Sequence, residues 1–205
     1  MTAITVYALV WLLFGLLHSW LAGTDAKRIL EPVMRQHYRL VYNLFALAHT
    51  VVVLMIGRWL FAGYPAYDLP LGVELFRWIL LFGGVAVLLA SLGQYDLGLF
   101  SGLKQLNEQR SVGHAAQLQE QLQTGGIHRF VRHPLYSALF LLLWGVSDTP
   151  FGLATAVFAS IYLLFGTYSE EKKLIALYGQ SYQEYREDVS AFVPWKAVLK
   201  LTARL

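Results

Sequence analysis

The feature that most constrains this chain is a series of long apolar runs, the first of which has 19 residues and no charge. A bilayer core about 30 Å thick is crossed by roughly 20 residues of α-helix, so a run of this length can span a membrane. The last apolar stretch is divided by the turn 147–152 into two arms. The runs lie at 4–22, 40–61, 75–93, 135–146 and 153–168. They predict an all-α fold, a polytopic membrane helix bundle of about five transmembrane helices with a C-terminal helical hairpin and a cytoplasmic amphipathic tail.

The first arm of the hairpin, 135–146, is too short to span alone, and we expect the polar residues before it to extend it. Pro134 suits the first position of a helix, where its missing N–H costs nothing. His133 then lies at the cap, preceded by Arg132. The free N–H groups of that helix end and the Arg132 charge predict a site for a carboxylate or phosphate. The alternative is that Arg129 and Arg132 bind lipid headgroups.

Composition excludes several classes of function. The chain is 57% hydrophobic and 14% charged, which is incompatible with a disordered chain, a nucleic-acid-binding tail or a coiled coil. It has no cysteine, so disulfides, thiolate nucleophiles and Cys-ligated metals are excluded. We expect no metal and no nucleic-acid partner. With no repeat or linker evident, residues 1–205 are predicted to form a single domain.

The basic residues are distributed unevenly about the predicted spans. Four of the 16 lie between the first two spans, four in 94–133 and six after Tyr168, whereas only Arg58 and Arg77 lie on the other side. Lys and Arg accumulate in cytoplasmic loops. The distribution predicts an integral membrane protein, in a bacterial inner membrane, with its N-terminus outside and its C-terminus cytoplasmic. Residues 24–39 are predicted to be an amphipathic stretch on the membrane surface.

Two further groups of residues could carry chemistry. Glu170 and Glu171 follow the last span, where adjacent carboxylates need a partner such as Arg132 or a cationic ligand; otherwise they form a solvated helix end. His18 and His49 lie inside predicted spans, and intramembrane ionisable groups are functional candidates, although helix-packing histidines are common. Beyond the glutamates, apolar and aromatic residues are spaced to line one helical face. They are Leu174, Leu177, Tyr178, Tyr182, Tyr185 and Val189.

The motifs resemble those of one membrane-enzyme superfamily. The run 126–136 ends in Arg-His-Pro-Leu-Tyr, and after the hairpin come Glu170-Glu171-Lys172-Lys173-Leu174 and the segment 178–186. This layout resembles the integral-membrane methyltransferases, which include the isoprenylcysteine carboxyl methyltransferases and phospholipid methyltransferases. Three N-terminal motifs, at 18–22, 38–43 and 95–105, are most similar to bacterial methanethiol S-methyltransferases and to related denitrification-associated membrane proteins.

The resemblance implies S-adenosylmethionine as the methyl donor, held mainly by 94–195 at the cytoplasmic membrane face. It implies a small apolar thiol such as methanethiol, or another lipid-soluble substrate, as the acceptor, with membrane lipid as the surroundings. Arg132 suits the donor carboxylate, and His133 or His128 could serve as a general base. We therefore predict catalytic roles for His133 and Arg132. The predicted cofactor-binding residues are Gln105, Ile127, His128, Arg132, His133, Tyr136, Glu170 and Glu171.

Three alternatives remain open at this point. The acceptor could be a prenylcysteine or a lipid. The chain could be a membrane haem protein with His18 and His49 as axial ligands. It could also be a non-catalytic accessory subunit of a respiratory pathway that keeps the fold without the chemistry.

Overall fold

A computed structural model describes residues 2–107 and 122–203 of the chain. Every regular element in that part is helical, apart from one isolated bridge between Val131 and Ser190. Short 3-10 helices lie at Arg35–His37 and Gly126–Arg129. The α-helices are α1 Ala3–Leu21, α2 Thr24–Met34, α3 Tyr38–Leu60, α4 Leu71–Leu92, α5 Leu97–Ser101, α6 Leu103–Asn107, α7 Pro134–Gly145, α8 Pro150–Tyr178, α9 Gln180–Asp188 and α10 Trp195–Thr202.

The predicted all-α membrane fold is confirmed. Within the described part, four helical stretches are long and apolar enough to cross a membrane: α1, the continuous stretch Thr24–Leu60, α4 and α8. The fifth predicted span is α7, an apolar helix of 12 residues. The chain divides into two compact units, Met1–Pro65 with Tyr95–Gln119, and Ala66–Gln94 with Glu120–Leu205.

The first unit is held together by packing of α1 against α3. Aromatic side chains of α1, including the fully buried Tyr7, form its core. At the other end of the helix pair, Tyr38 donates a 2.7 Å hydrogen bond to the carbonyl of Leu21. His18 Nε2 lies 2.8 Å from the hydroxyl of Tyr42, so His18 bridges α1 and α3. This contact supports the helix-packing interpretation of His18.

The loop that carries α5 and α6 is fastened to the start of α3. Asn43 donates a 3.1 Å hydrogen bond to the carbonyl of Ser101. The next residue, Gly102, has a φ of +92°, and a Cβ built on it would lie 2.8 Å from the backbone nitrogen of Leu40. Only glycine combines this left-handed conformation with so close an approach.

In the second unit α4 and α7 lie antiparallel and unusually close. A Cβ on Gly84 would meet Leu142 at 2.9 Å, and one on Gly145 would meet the backbone of Leu81 at 2.8 Å. Two glycines therefore let the helix backbones approach, as small residues do in membrane helix pairs. This packing gives the short α7 a rigid neighbour along its length.

The first arm of the hairpin does not have the predicted N-terminal extension. The helix begins at Pro134, and the residue before it has φ −120° and ψ 68°, outside the helical region. A residue that precedes proline is disfavoured in the helical conformation. The N–H groups of Arg132 and His133 instead donate to the carbonyls of Ser190 and Ala191, at 2.8 and 3.0 Å. These bonds join the start of α7 to the segment after α9.

The second arm is longer than predicted, and the single helical face predicted beyond it is wrong. Helix α8 runs to Tyr178, which places Glu170 and Glu171 inside the helix. Gly179, with φ +57°, then ends α8 and begins α9. The residues predicted to share one face are thus divided between two helices. Tyr182 is 1% exposed, whereas Leu177 is 59% exposed.

Candidate active site

The start of α7 has the predicted arrangement. Pro134 is the first helical residue and His133 is the cap. The backbone of this cap is further fixed by Ser137, whose hydroxyl donates to the carbonyls of His133 and Phe192, at 3.1 and 2.8 Å. The ring of His133 stacks on that of Tyr136, with centroids 5.7 Å apart and planes 12° apart. The backbone of His133 is therefore fixed by Ser137, and its ring is packed against Tyr136.

Arg132 and Glu171 form an ion pair, which is one of the alternatives that the sequence left open. Arg132 Nε donates to Glu171 Oε1 at 3.0 Å, and Nη2 contacts the same oxygen. The pair is largely buried, with side-chain exposures of 9% and 14%. Arg132 Nη1 donates in addition to the carbonyls of Val189 and Arg186. These contacts satisfy much of the donor capacity of the guanidinium inside the protein.

Glu171 is also the partner of two other groups. His133 Nε2 lies 3.2 Å from Glu171 Oε1, and Arg186 Nε lies 3.3 Å from Oε2. We refer to Arg132, His133, Glu171 and Arg186 as the Glu171 cluster. Burial acts to raise the pKa of Glu171, but the hydrogen bond and the charge of Arg132 hold that pKa below its usual value.

Glu170 differs from Glu171 in its surroundings. Its side chain is 44% exposed, and its Oε2 lies 3.8 Å from His133 Nδ1. The imidazole of His133, only 4% exposed, therefore has one carboxylate near each ring nitrogen. Glu171 is committed to internal partners, while the carboxylate of Glu170 is accessible to a ligand.

The 3-10 helix before α7 is tied to α9. Tyr185 donates a 2.6 Å hydrogen bond to the carbonyl of His128, and His128 Nδ1 lies 3.3 Å from the carbonyl of Arg132. Burial lowers the pKa of His128 below its usual value. The side chain is therefore neutral at pH 7. Ile127 is half-buried in the same turn and accepts the N–H of Phe130 through its carbonyl at 3.0 Å.

Three residues of α9 belong to the site and were not among the predicted site residues. Arg186 pairs with Glu171, Tyr185 holds the His128 segment, and Tyr182 is fully buried. Burial, reinforced by the charge of Glu171, raises the pKa of Tyr182 to about 12. All three residues belong to the 178–186 motif that resembles the membrane methyltransferases. A continuous helix through Gly179, as the sequence predicts, would direct their side chains away from the site.

Not every predicted residue can be placed against this cluster. Gln105 belongs to α6 in the other unit, and its side chain lies outside the described residues. His18 and His49 also belong to the first unit, where both rings contact Phe14, at centroid distances of 5.2 and 4.9 Å. Among the described residues, no group of three or more His, Asp or Glu side chains is arranged to hold a metal ion.

Comparison with known proteins identifies the family. The sequence model of the family described as phospholipid methyltransferase matches residues 80–181. A methanethiol S-methyltransferase of Crocosphaera subtropica is 30% identical over 194 residues, which cover 89% of this chain and 71% of that protein. The chain belongs to the methanethiol S-methyltransferase family.

Other methanethiol S-methyltransferases agree with this membership. The enzyme of Pseudomonas deceptionensis is 26% identical over 94% of this chain and 73% of its own length. That of Mycobacterium tuberculosis is 26% identical over 94% of this chain and 79% of its own. No solved structure gives a significant match. The predicted resemblance to membrane methyltransferases is confirmed, and with it the general activity, methyl transfer.

Proposed function

We propose that this protein transfers the methyl group of S-adenosylmethionine to a small thiol such as methanethiol. The observation that carries the proposal is the Glu171 cluster with Glu170 and Tyr136 beside it. It brings together residues 38 positions apart in sequence, His133 and Glu171, that the motifs assign to the donor. The names of the relatives support a thiol acceptor.

The residues of the site fit the chemistry of the donor. S-adenosylmethionine has an ammonium group, a carboxylate, a ribose and a positively charged sulfonium. The accessible carboxylate of Glu170 suits the ammonium or the ribose hydroxyls, as acidic residues do in other nucleotide sites. The aromatic ring of Tyr136 and the half-buried Ile127 offer apolar surface beside polar groups.

Arg132 acts in this proposal mainly through Glu171. Its hydrogen bonds to Glu171 and to two carbonyls support a positioning role, with its positive charge near the start of α7 still available to attract a carboxylate. Arg132 thus fixes the position of Glu171 beside His133. Exact placement of this kind is most of what a displacement reaction requires from a protein.

His133 is the residue we propose to accept the proton of the thiol. The thiolate is the reactive form of a thiol, so a proton must leave before or during transfer. When bound, the donor supplies an electrophilic methyl group. Glu171 lies within hydrogen-bond distance of His133 Nε2 and so fixes the orientation of the imidazole. The neutral His128 is the second candidate for this proton.

We further propose that the site lies at the cytoplasmic face of a bacterial inner membrane, with the N-terminus outside and the C-terminus in the cytoplasm. The support is the 14 basic residues in the predicted cytoplasmic segments against two on the other side. In this orientation an apolar thiol approaches through lipid and the charged donor approaches from water.

A direct assay tests the function. The purified protein in neutral detergent is given S-adenosylmethionine with a labelled methyl group and one acceptor at a time: methanethiol, a prenylcysteine or a phospholipid. We expect label in dimethyl sulfide alone. Label in the prenylcysteine or the lipid would refute the thiol acceptor, and no donor binding together with a Soret band would favour the haem alternative.

A further inference from the structure

A polar cleft lies beside the candidate active site, in the same unit. It has a volume of about 580 Å³, and of the predicted donor-binding residues only Arg132 is part of its wall. The other wall residues used below are Gln183, Arg186, Glu187, Trp195 and Lys196. The volume is within the range of small-molecule sites, roughly 300–1,000 Å³.

The charge of the wall favours an anion. The wall contains three cationic residues and one acidic residue. They are Arg132, Arg186 and Lys196, and Glu187. Arg186 is 42% exposed, and its recorded ion pair with Glu171 uses only Nε. The other two guanidinium nitrogens can therefore donate to a ligand, and the planar fork of arginine matches a phosphate. Lys196 Nζ is anchored by the carbonyls of Arg186 and Glu187, both at 2.8 Å, so its charge is fixed at the cleft.

The helix beside the cleft indicates where the anion comes from. Helix α10 begins at Trp195, and its two lysines bind α9: Lys196 through carbonyls and Lys200 through Asp188 at 2.6 Å. Its four large apolar side chains are each more than half exposed. They are Trp195, Val198, Leu199 and Leu201. An amphipathic helix with Trp and Leu on one face is typical of segments that lie in the membrane interface.

We infer that the cleft binds the phosphate of an anionic phospholipid headgroup, with α10 lying in the interface beside the acyl chains. Trp195 is at once a wall residue and the first residue of the apolar face, so the cleft opens where headgroups lie. The phosphate then contacts Arg186 and Lys196. This inference does not depend on the proposed activity, because Arg132 is the one predicted donor-binding residue in the wall and the phosphate is assigned to Arg186 and Lys196, which are outside that set.

Binding can be measured on the full chain in neutral detergent by titration calorimetry. The probes are dioctanoyl phosphatidylglycerol and dioctanoyl phosphatidylcholine, which have the same acyl chains and differ in net charge. We expect the phosphatidylglycerol to bind about tenfold more tightly, with an affinity that falls as salt rises. Equal binding of the two lipids would overturn the inference, as would displacement of the lipid by S-adenosylmethionine or by equimolar inorganic phosphate.

Variants of Gln183 separate a charge effect from damage to the fold. Its side chain is exposed on α9 and lines the cleft. Gln183→Glu should weaken phosphatidylglycerol binding about tenfold and Gln183→Lys should strengthen it, because one charge within several ångströms contributes on the order of 1 kcal/mol. Ser181→Glu, which adds the same charge to an exposed position of α9 outside the wall, is the matched control. Loss of binding in both Gln183 variants, or equal effects of Gln183→Glu and Ser181→Glu, would contradict the inference.

Discussion

Replacing Glu171 by glutamine keeps the shape of the side chain but removes the charge on which the site is built. The carboxylate and Arg132 are 14% and 9% exposed, and removing one partner of a buried ion pair costs about 3–5 kcal/mol. The contact with Arg186 adds little, because that side chain is 42% exposed and such pairs contribute about 0–1 kcal/mol. We therefore expect Glu171→Gln to lower the free energy of unfolding by about 3 kcal/mol.

The same substitution should weaken donor binding on the order of 100-fold. Such a loss corresponds to about 2.8 kcal/mol of binding free energy, because 1.4 kcal/mol is a factor of ten. Denaturant unfolding in detergent and calorimetry with S-adenosylmethionine measure the two effects. Glu184→Gln is the matched control, because Glu184 is an exposed carboxylate whose recorded partner is Gln180. An unfolding free energy within about 0.5 kcal/mol of wild type together with unchanged donor affinity would refute the role given to the Glu171 cluster.

Three other predictions test separate parts of the structure. Gly102→Ala should cost about 1–3 kcal/mol of stability, because its φ is +92°, whereas Gly93→Ala, at φ −64°, should cost less than half as much; denaturant titration compares them. The stability contributed by Tyr182, whose pKa rises from 10 to about 12 on folding, is complete below pH 10 and is lost as the pH rises towards 12, so Tyr182→Phe should flatten the alkaline limb of the stability curve. The pKa of His128 is lowered on folding, so its contribution is complete above pH 6.5 and is lost as the pH falls through the folded value; a His128→Gln variant with an unchanged acid limb would contradict this.

Sequence reasoning succeeded where one local rule decided the structure. The apolar runs identified the helices because lipid leaves the backbone few alternatives to helix. Pro134 identified the start of α7 because proline is tolerated at the first helical position. The pairing of Arg132 with Glu171 is one of the alternatives that the sequence left open, and it avoids the cost of leaving charges without partners near a membrane.

Sequence reasoning failed where a long-range contact decided the structure. The polar residues before Leu135 were expected to extend α7, but the N–H groups of Arg132 and His133 donate instead to the carbonyls of Ser190 and Ala191, far along the chain. Helical spacing placed 174–189 on one face, yet Gly179 redirects the chain between α8 and α9. Arg186 was missed for this reason, since its approach to Glu171 depends on that change of direction.

The shortness of α7 has a consequence for the opposite side of the unit. At 1.5 Å per residue its 12 residues span about 18 Å, against about 33 Å for the 22 residues of α4. With Gly145 beside Leu81 and the two helices antiparallel, Pro134 falls level with the last turn of α4, so the whole shortfall is at the Gly145 end.

There the turn after α7 lies well inside the thickness that α4 spans, and Arg77 meets its polar groups. Arg77 donates to the carbonyl of Gly145 at 3.0 Å and pairs with Asp148 at 3.1 Å. Arg77 and Asp148 can therefore lie at a depth where lipid otherwise disfavours charge, because each has a partner. The apolar layer between Arg77 and Asp148 on one side and the candidate site on the other is accordingly about 18 Å thick. This is little more than half of an ordinary bilayer core.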